Sequence, residues 1–255
     1  MKKKPLLNVL AALLVFTVLP ILFSSPAGAF GVYDDFTSAG INTSLWFDFG
    51  PNMGLYSEPS GGPLSFNDAT GGQWDILSSA NPESGAFFVS MQYSNLSANN
   101  TNALGSGKAS VAAVFVGYQS NAVLMNEYEE SNNYGFLANS DVNGTVTVLS
   151  NPPPSTTVTG GTLGIYYNGV LGPGGMVSFW YNTGSGWIYL TDFAPNFSTT
   201  PYFGISGEDL YGQSLSFDVS NVTISQDAPV PLPPSLLLLG PGLLGLLAMR
   251  RRSKG

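Results

Sequence analysis

Between residues 30 and 229 this chain of 255 has no stretch with a helical period. Short segments rich in Val, Phe, Tyr and Trp are separated by clusters of Gly, Ser, Asn, Thr and Pro, and such punctuation stops helices before they can propagate. The spacing predicts strands over 32–36, 74–78, 86–93, 110–118, 134–139 and 145–149, then over 163–167, 176–182, 187–191, 202–206 and 215–224. Many short strands without helices between them specify an all-β sandwich or barrel. Asn143-Gly144 is a two-residue hairpin turn, because that pair readily takes positive φ. Thr183, Gly184, Ser185 and Gly186 join the strand ending at Asn182 to the next. Residues 58–72 read as a long loop or a frayed edge strand, and no internal repeat is evident.

Two hundred residues suffice for one domain with a full core. The chain has no Cys, so the core must hold the fold without disulfides. It has no His either, which excludes Ser-His-Asp and Cys-His nucleophiles and zinc sites built on nitrogen or sulfur. Any metal would be bound by oxygen alone, which points to calcium. All sixteen carboxylates fall in residues 30–229, against one lysine, Lys108. Such a surface repels phosphate backbones, so nucleic acid is excluded as a partner.

The ends differ from the middle. Lys2, Lys3 and Lys4, an apolar run over 6–23, and Ala27-Gly28-Ala29 form a secretory signal peptide over 1–29, with cleavage after Ala29. The expected partners are the Sec translocon and signal peptidase. At the other end, residues 227–255 comprise a proline-rich linker, an apolar segment over 235–249, and a basic tail of Arg250, Arg251, Arg252 and Lys254. The arginines read as a cytoplasmic stop. Gly240-Pro241-Gly242 weakens a permanent membrane helix and suits a segment that is processed.

Two resemblances follow. Tyr33-Asp34-Asp35-Phe36, then Ile41 to Trp46, together with the closing segments over 163–225, resemble the concanavalin A-like lectin/glucanase domains. The resemblance implies that residues 30–226 form a two-sheet antiparallel jelly-roll sandwich whose first and last strands pair. Val230-Pro231-Leu232-Pro233, the apolar segment and the arginines resemble the PEP-CTERM sorting signal, with Leu232 where its glutamate would stand. That resemblance implies an exosortase substrate of a Gram-negative bacterium that makes extracellular polysaccharide. The precursor would be anchored in the inner membrane, and the product would reach the cell surface or matrix.

Within this fold class, glucanases carry E-x-D-x(x)-E on one strand, with acid and nucleophile about 5 Å apart on one face. Glu127 and Glu129 share a face, but Ser131 and Asn132 stand where the third carboxylate belongs, so a solvated strand end or loop is the expected reading. Residues 139–144 match the start of a calcium loop, yet Ser150 stands where a bidentate Glu belongs, and a hairpin explains them better. Asp34, Asp35, Glu208 and Asp209 are the candidate calcium ligands.

Alternation over 177–182 puts Val177, Phe179 and Tyr181 on a core face and Ser178, Trp180 and Asn182 on the other. Trp180, Trp187 and Tyr211 are candidates to stack on sugar rings, with Asn182 fixing hydroxyls, although core packing accounts for large aromatics in sandwiches as readily. The expected function is non-catalytic binding of extracellular polysaccharide. A structural surface or biofilm protein is the alternative, and a glycoside hydrolase a distant one.

Overall fold

The computed structural model describes residues 31–229 except 51, 101–109, 119–120, 131–132, 144, 151–154, 157–158 and 210–211. The signal peptide, the sorting motif, the apolar segment over 235–249 and the arginine tail lie outside the described residues, as does Tyr211. Among the described residues no helix is long and apolar enough to cross a membrane.

In chain order the strands are β1 (Gly31–Asp34), β2 (Trp46–Asp48), β3 (Tyr56–Ser57), β4 (Leu64–Asp68), β5 (Trp74–Ser79), β6 (Phe87–Asn99), β7 (Ser110–Tyr118) and β8 (Asn121–Glu130). They continue with β9 (Asn133–Val142), β10 (Thr145–Val148), β11 (Ser155–Thr156), β12 (Gly161–Tyr167), β13 (Val177–Asn182), β14 (Ile188–Phe193), β15 (Tyr202–Glu208) and β16 (Ser214–Ser225). Two eight-stranded antiparallel sheets result. The terminal sheet runs β14-β13-β12-β6-β16-β4-β3, with β1 also on β16, and the medial sheet runs β10-β9-β8-β7-β15-β5-β2, with β11 on β9.

First and last strands pair as the resemblance implies, with Val32 opposite Thr223. The segment around them explains why. Trp46 donates its indole N–H to Asp34 (2.7 Å), the amide of Phe36 donates to the same carboxylate (2.9 Å), and the Phe36 and Trp46 rings stack 6.0 Å apart. The β9–β10 hairpin turns at Asn143, which has φ 53°, and Thr145 faces Val142.

The core lies between the sheets and follows period-two alternation. Phe87, Val89 and Met91 of β6 point inward against Val114 and Val116 of β7 and Met125 of β8. Val177 and Phe179 are fully buried as alternation predicts. Two expectations are corrected. Residues 58–72 are not all loop: Leu64–Asp68 form β4, whose Leu64, Phe66 and Asp68 alternate into the interior between β16 and β3, while 58–63 and 69–72 are turns. Within 126–130, Asn126, Glu127 and Tyr128 are not solvated: they are buried in β8, which pairs with β7 and β9.

Candidate functional site: the outer cleft of the medial sheet

Strand β8 sends Val123, Met125 and Glu127 into the core, so Leu124, Asn126 and Tyr128 face outward. Register extends this outer face across the sheet. Asn126 lies level with Leu137 of β9, Ala113 of β7, Ser206 of β15 and Ile76 of β5. The next row holds Tyr128, Val111, Glu208 and Trp74, and the row on the other side holds Asn139, Leu124, Phe115 and Ser78.

An outer face is normally wet, yet Ala113, Phe115, Asn126, Tyr128 and Ser206 are buried while Trp74, Ile76, Asn139, Asp141 and Glu208 around them are half-exposed. A buried floor inside a more exposed rim is a cleft. Glycines make room for its aromatic floor. A Cβ on Gly135 would meet the Tyr128 ring at 2.8 Å, and one on Gly204 would meet the Phe115 ring at 2.5 Å.

Asp141 shares this outer face, three strands from β15 and level with Tyr202, six residues before Glu208. Burial, and after it the charge of Asp141, raises the pKa of Glu208.

Asn126 donates from Nδ2 to the Leu137 carbonyl (3.3 Å) and to Asn139 Oδ1, which leaves its own Oδ1 buried without a partner. Asp141 Oδ1 is buried and unpartnered too. The described residues include no Lys, Arg or His, so neither carboxylate on this face has a cation among them. A buried acceptor left unmade costs about 1–3 kcal/mol.

The candidates from sequence lie elsewhere. Glu127 has no exposed surface and faces the interior, where Tyr93 of the terminal sheet donates its hydroxyl to Oε2. Burial raises the Glu127 pKa to about 7, with the Tyr93 hydrogen bond partly opposing it. Glu127 is therefore shut off from solvent in the core.

Trp180 and Trp187 sit on the outer face of the terminal sheet. Trp180, 8% exposed, packs edge-on to Tyr189 at 5.3 Å, and Trp187 packs edge-on to the buried Phe88 at 5.0 Å. Asn182 Oδ1 accepts the amides of Gly184 (2.7 Å) and Gly186 (3.1 Å) and holds the β13–β14 turn.

The four calcium candidates do not converge. Asp34 is engaged by Trp46 and Phe36, and Asp35 accepts from Thr37. Glu208 and Asp209 lie toward the other end of β16, where Leu215 pairs with Asp68, roughly 20 Å away along the strand. Asp209 takes the Ser110 hydroxyl, and Asp68 takes the amides of Thr70, Gly71 and Gln73. Among the described residues no three acidic side chains gather where a metal ion would fit.

Trp74, Asn126, Tyr128, Asn139 and Asp141 went unassigned to a ligand site from the sequence. Alternation of Val123 and Met125 against Leu124 and Asn126 is the signal that marks β8, but Glu127 on the apolar side obscures it.

No family model and no curated protein matches the chain. Solved structures do. Bacteroides ovatus xyloglucan PUL GH43B aligns with a TM-score of 0.55 at 11% identity over 75% of this chain and 38% of that one. An engineered GH43 glycoside hydrolase aligns at 0.54 and 13% identity over 79% of this chain and 42% of that one. The chain thus spans about two fifths of the length of these two. An endo-acting O-glycanase of the human gut microbiota aligns at 0.54 and 9% identity, covering 76% of this chain and 98% of that one. The carbohydrate recognition domain of Emp47p aligns at 0.50 and 8% identity over 80% and 100%. At these identities the likeness establishes the fold, a lectin-like β-sandwich.

Proposed function

We propose that the chain is an exported bacterial surface or matrix protein whose sandwich, residues 30–226, binds carbohydrate without catalysis in the outer cleft of the medial sheet. The observation that carries this reading is an outer face of a lectin-like sandwich on which the partly exposed Trp74 lies with the partly exposed Asn139, Asp141 and Glu208. The apolar face of a pyranose ring suits the indole, and the polar side chains suit its hydroxyls. The recognition domain of Emp47p and the glycanases of similar fold are consistent with a glycan ligand. Trp74→Ala and Asn126→Ala, measured for retention on the host's own polysaccharide, test the reading. Both should lose retention, whereas no retention by the wild type would leave the structural surface protein as the better account.

The outer face of the terminal sheet is the second reading, favoured by the Trp180 indole N–H, which is buried without a partner beside the 46% exposed Tyr189. Trp180→Ala and Trp187→Ala separate the faces, since only this reading has them weaken binding. Export rests on the signal peptide over 1–29. Sorting rests on Val230, Pro231, Leu232 and Pro233 with the arginine tail, read by an exosortase. Mass spectrometry of the protein from its host should find a chain that begins at Phe30 and ends near Pro231. An intact 227–255 segment would refute the sorting step.

A further inference from the structure

On the cleft reading above, the glycan face does not end at Trp74. Beyond β5 the medial sheet closes with β2, where alternation turns Trp46 inward and Phe47 and Phe49 outward. Phe47 lies level with Ser78, and the Phe49 amide donates to the Ile76 carbonyl (2.8 Å). Both rings therefore extend the outer rows that contain Ser78 and Ile76. They are 60% and 53% exposed, with centroids 6.5 Å apart and planes tilted by 31°. Trp74 stands on the same face, two residues along β5 from Ile76. Strand rise and spacing put Phe47, Phe49 and Trp74 on a diagonal strip about 14 Å long, longer than one sugar ring.

Two large rings held open side by side mark a contact surface. A second copy of this chain fits it poorly, because residues 30–229 carry sixteen carboxylates against Lys108 and repel their own kind. The side chains around the strip are polar and half-exposed, with Ser78 beside Phe47 and Glu208 beside Trp74. Flat rings flanked by polar groups suit the two-sided character of a sugar, apolar on its face and hydroxylated at its edge. The opposite edge of this face, at β10, presents Val146 and Val148, which offer no ring to stack on. Because β2 is the last strand of the sheet, the strip runs out over an open edge with no strand beyond it to wall off a chain end. We propose that Phe47, Phe49 and Trp74 form one stacking strip that takes an internal run of sugar units, so that the site reads glycan length and not a chain end.

The test measures, by calorimetry, binding of the protein as its host exports it to oligosaccharides of graded length, released by partial hydrolysis of the host's extracellular polysaccharide. Affinity should rise with length until the strip is filled, with a hexasaccharide bound at least about tenfold more tightly than a disaccharide. Phe47→Thr with Phe49→Thr keeps residues that favour strands. That double variant should bind the hexasaccharide about tenfold more weakly than wild type and the disaccharide within about twofold.

A folded double variant that binds the hexasaccharide as wild type does overturns the proposal, and loss of that binding in Trp74→Ala would leave the cleft reading standing. A disaccharide bound as tightly as the hexasaccharide also overturns it, by marking a site for a chain end. A wild type that sediments as a dimer, with the double variant a monomer, overturns it by assigning the rings to an interface between copies. No binding of any oligosaccharide or of the intact polysaccharide by the wild type overturns the cleft reading and the stacking strip with it.

Discussion

The outer faces of the two sheets solve the same problem in opposite ways. On the terminal sheet, polar side chains find one another: Ser90 with Thr223 (2.7 Å), Asn221 with Gln92 (2.8 Å), and Asp218 with both Ser65 (2.6 Å) and Asn95 (2.8 Å). Its aromatics close in the same manner. Trp187 lies across Gly164, where a Cβ would come within 3.2 Å of its ring, and covers Phe88. On the medial sheet, Asn126 and Asp141 retain acceptors that nothing in the described chain satisfies. A face that pairs its own groups contributes stability, whereas one that leaves buried groups unmade sacrifices some of it, and such a sacrifice is characteristic of sites.

The strongest way to break the comparison is Phe88→Ala. Removing this fully buried ring from the terminal face should cost about 3–5 kcal/mol in denaturant unfolding and leave glycan retention unchanged once the protein is folded. A loss of binding at intact stability would move the site to that face.

Next in size is the pH response of β8, which turns Asn126 to the cleft and Glu127 to the core. The folded-state pKa of Glu127 is raised to about 7 from an ordinary 4.5. The folded state therefore holds a proton that the unfolded chain has released. The stabilisation is complete below pH 4.5 and lost as pH rises to about 7, for a total of about 3 kcal/mol. Asp75, raised to about 6 by burial and by its neighbour Asp48, acts in the same direction. Glu127→Gln should flatten the Glu127 part, so the stability difference between wild type and variant should change by about that amount between pH 4.5 and 7. A pH-independent difference would show that Glu127 is ionised in the core.

Trp74→Ala sharpens the contrast on the medial side, with retention falling roughly tenfold, the size of one lost aromatic contact. The smallest effect belongs to Trp180→Phe. It deletes the buried, unpartnered indole N–H of Trp180, so thermal unfolding should shift by less than about 1 kcal/mol, in the stabilising direction.

The terminal sheet was the more legible of the two. Val177, Phe179 and Tyr181 alternate plainly against polar neighbours, and the pairing of 32–36 with the last strand followed from the opening motif. Strand β4 hid behind its glycines and prolines, although Leu64 and Phe66 are fully interior. Strand β8 hid behind its own carboxylates, because glutamates on a strand ordinarily signal water. Glu127 departs from that rule through a partner 34 residues away, Tyr93 on the opposite sheet. The calcium candidates failed for a related reason: proximity in sequence brought Asp34 to Trp46, whereas convergence with Glu208 would have required a fold that does not bring them together.

Composition and alternation alone determined that residues 30–229 are all-β, that their core must hold without disulfides, and that they are anionic with neither histidine nor cysteine chemistry. Those properties are local or additive, and one chain suffices to read them. Which acids are buried, which aromatics are spent on packing, and which face retains unpaired acceptors were decided only in three dimensions. Each depends on what a second sheet, or a neighbouring strand, brings opposite a side chain.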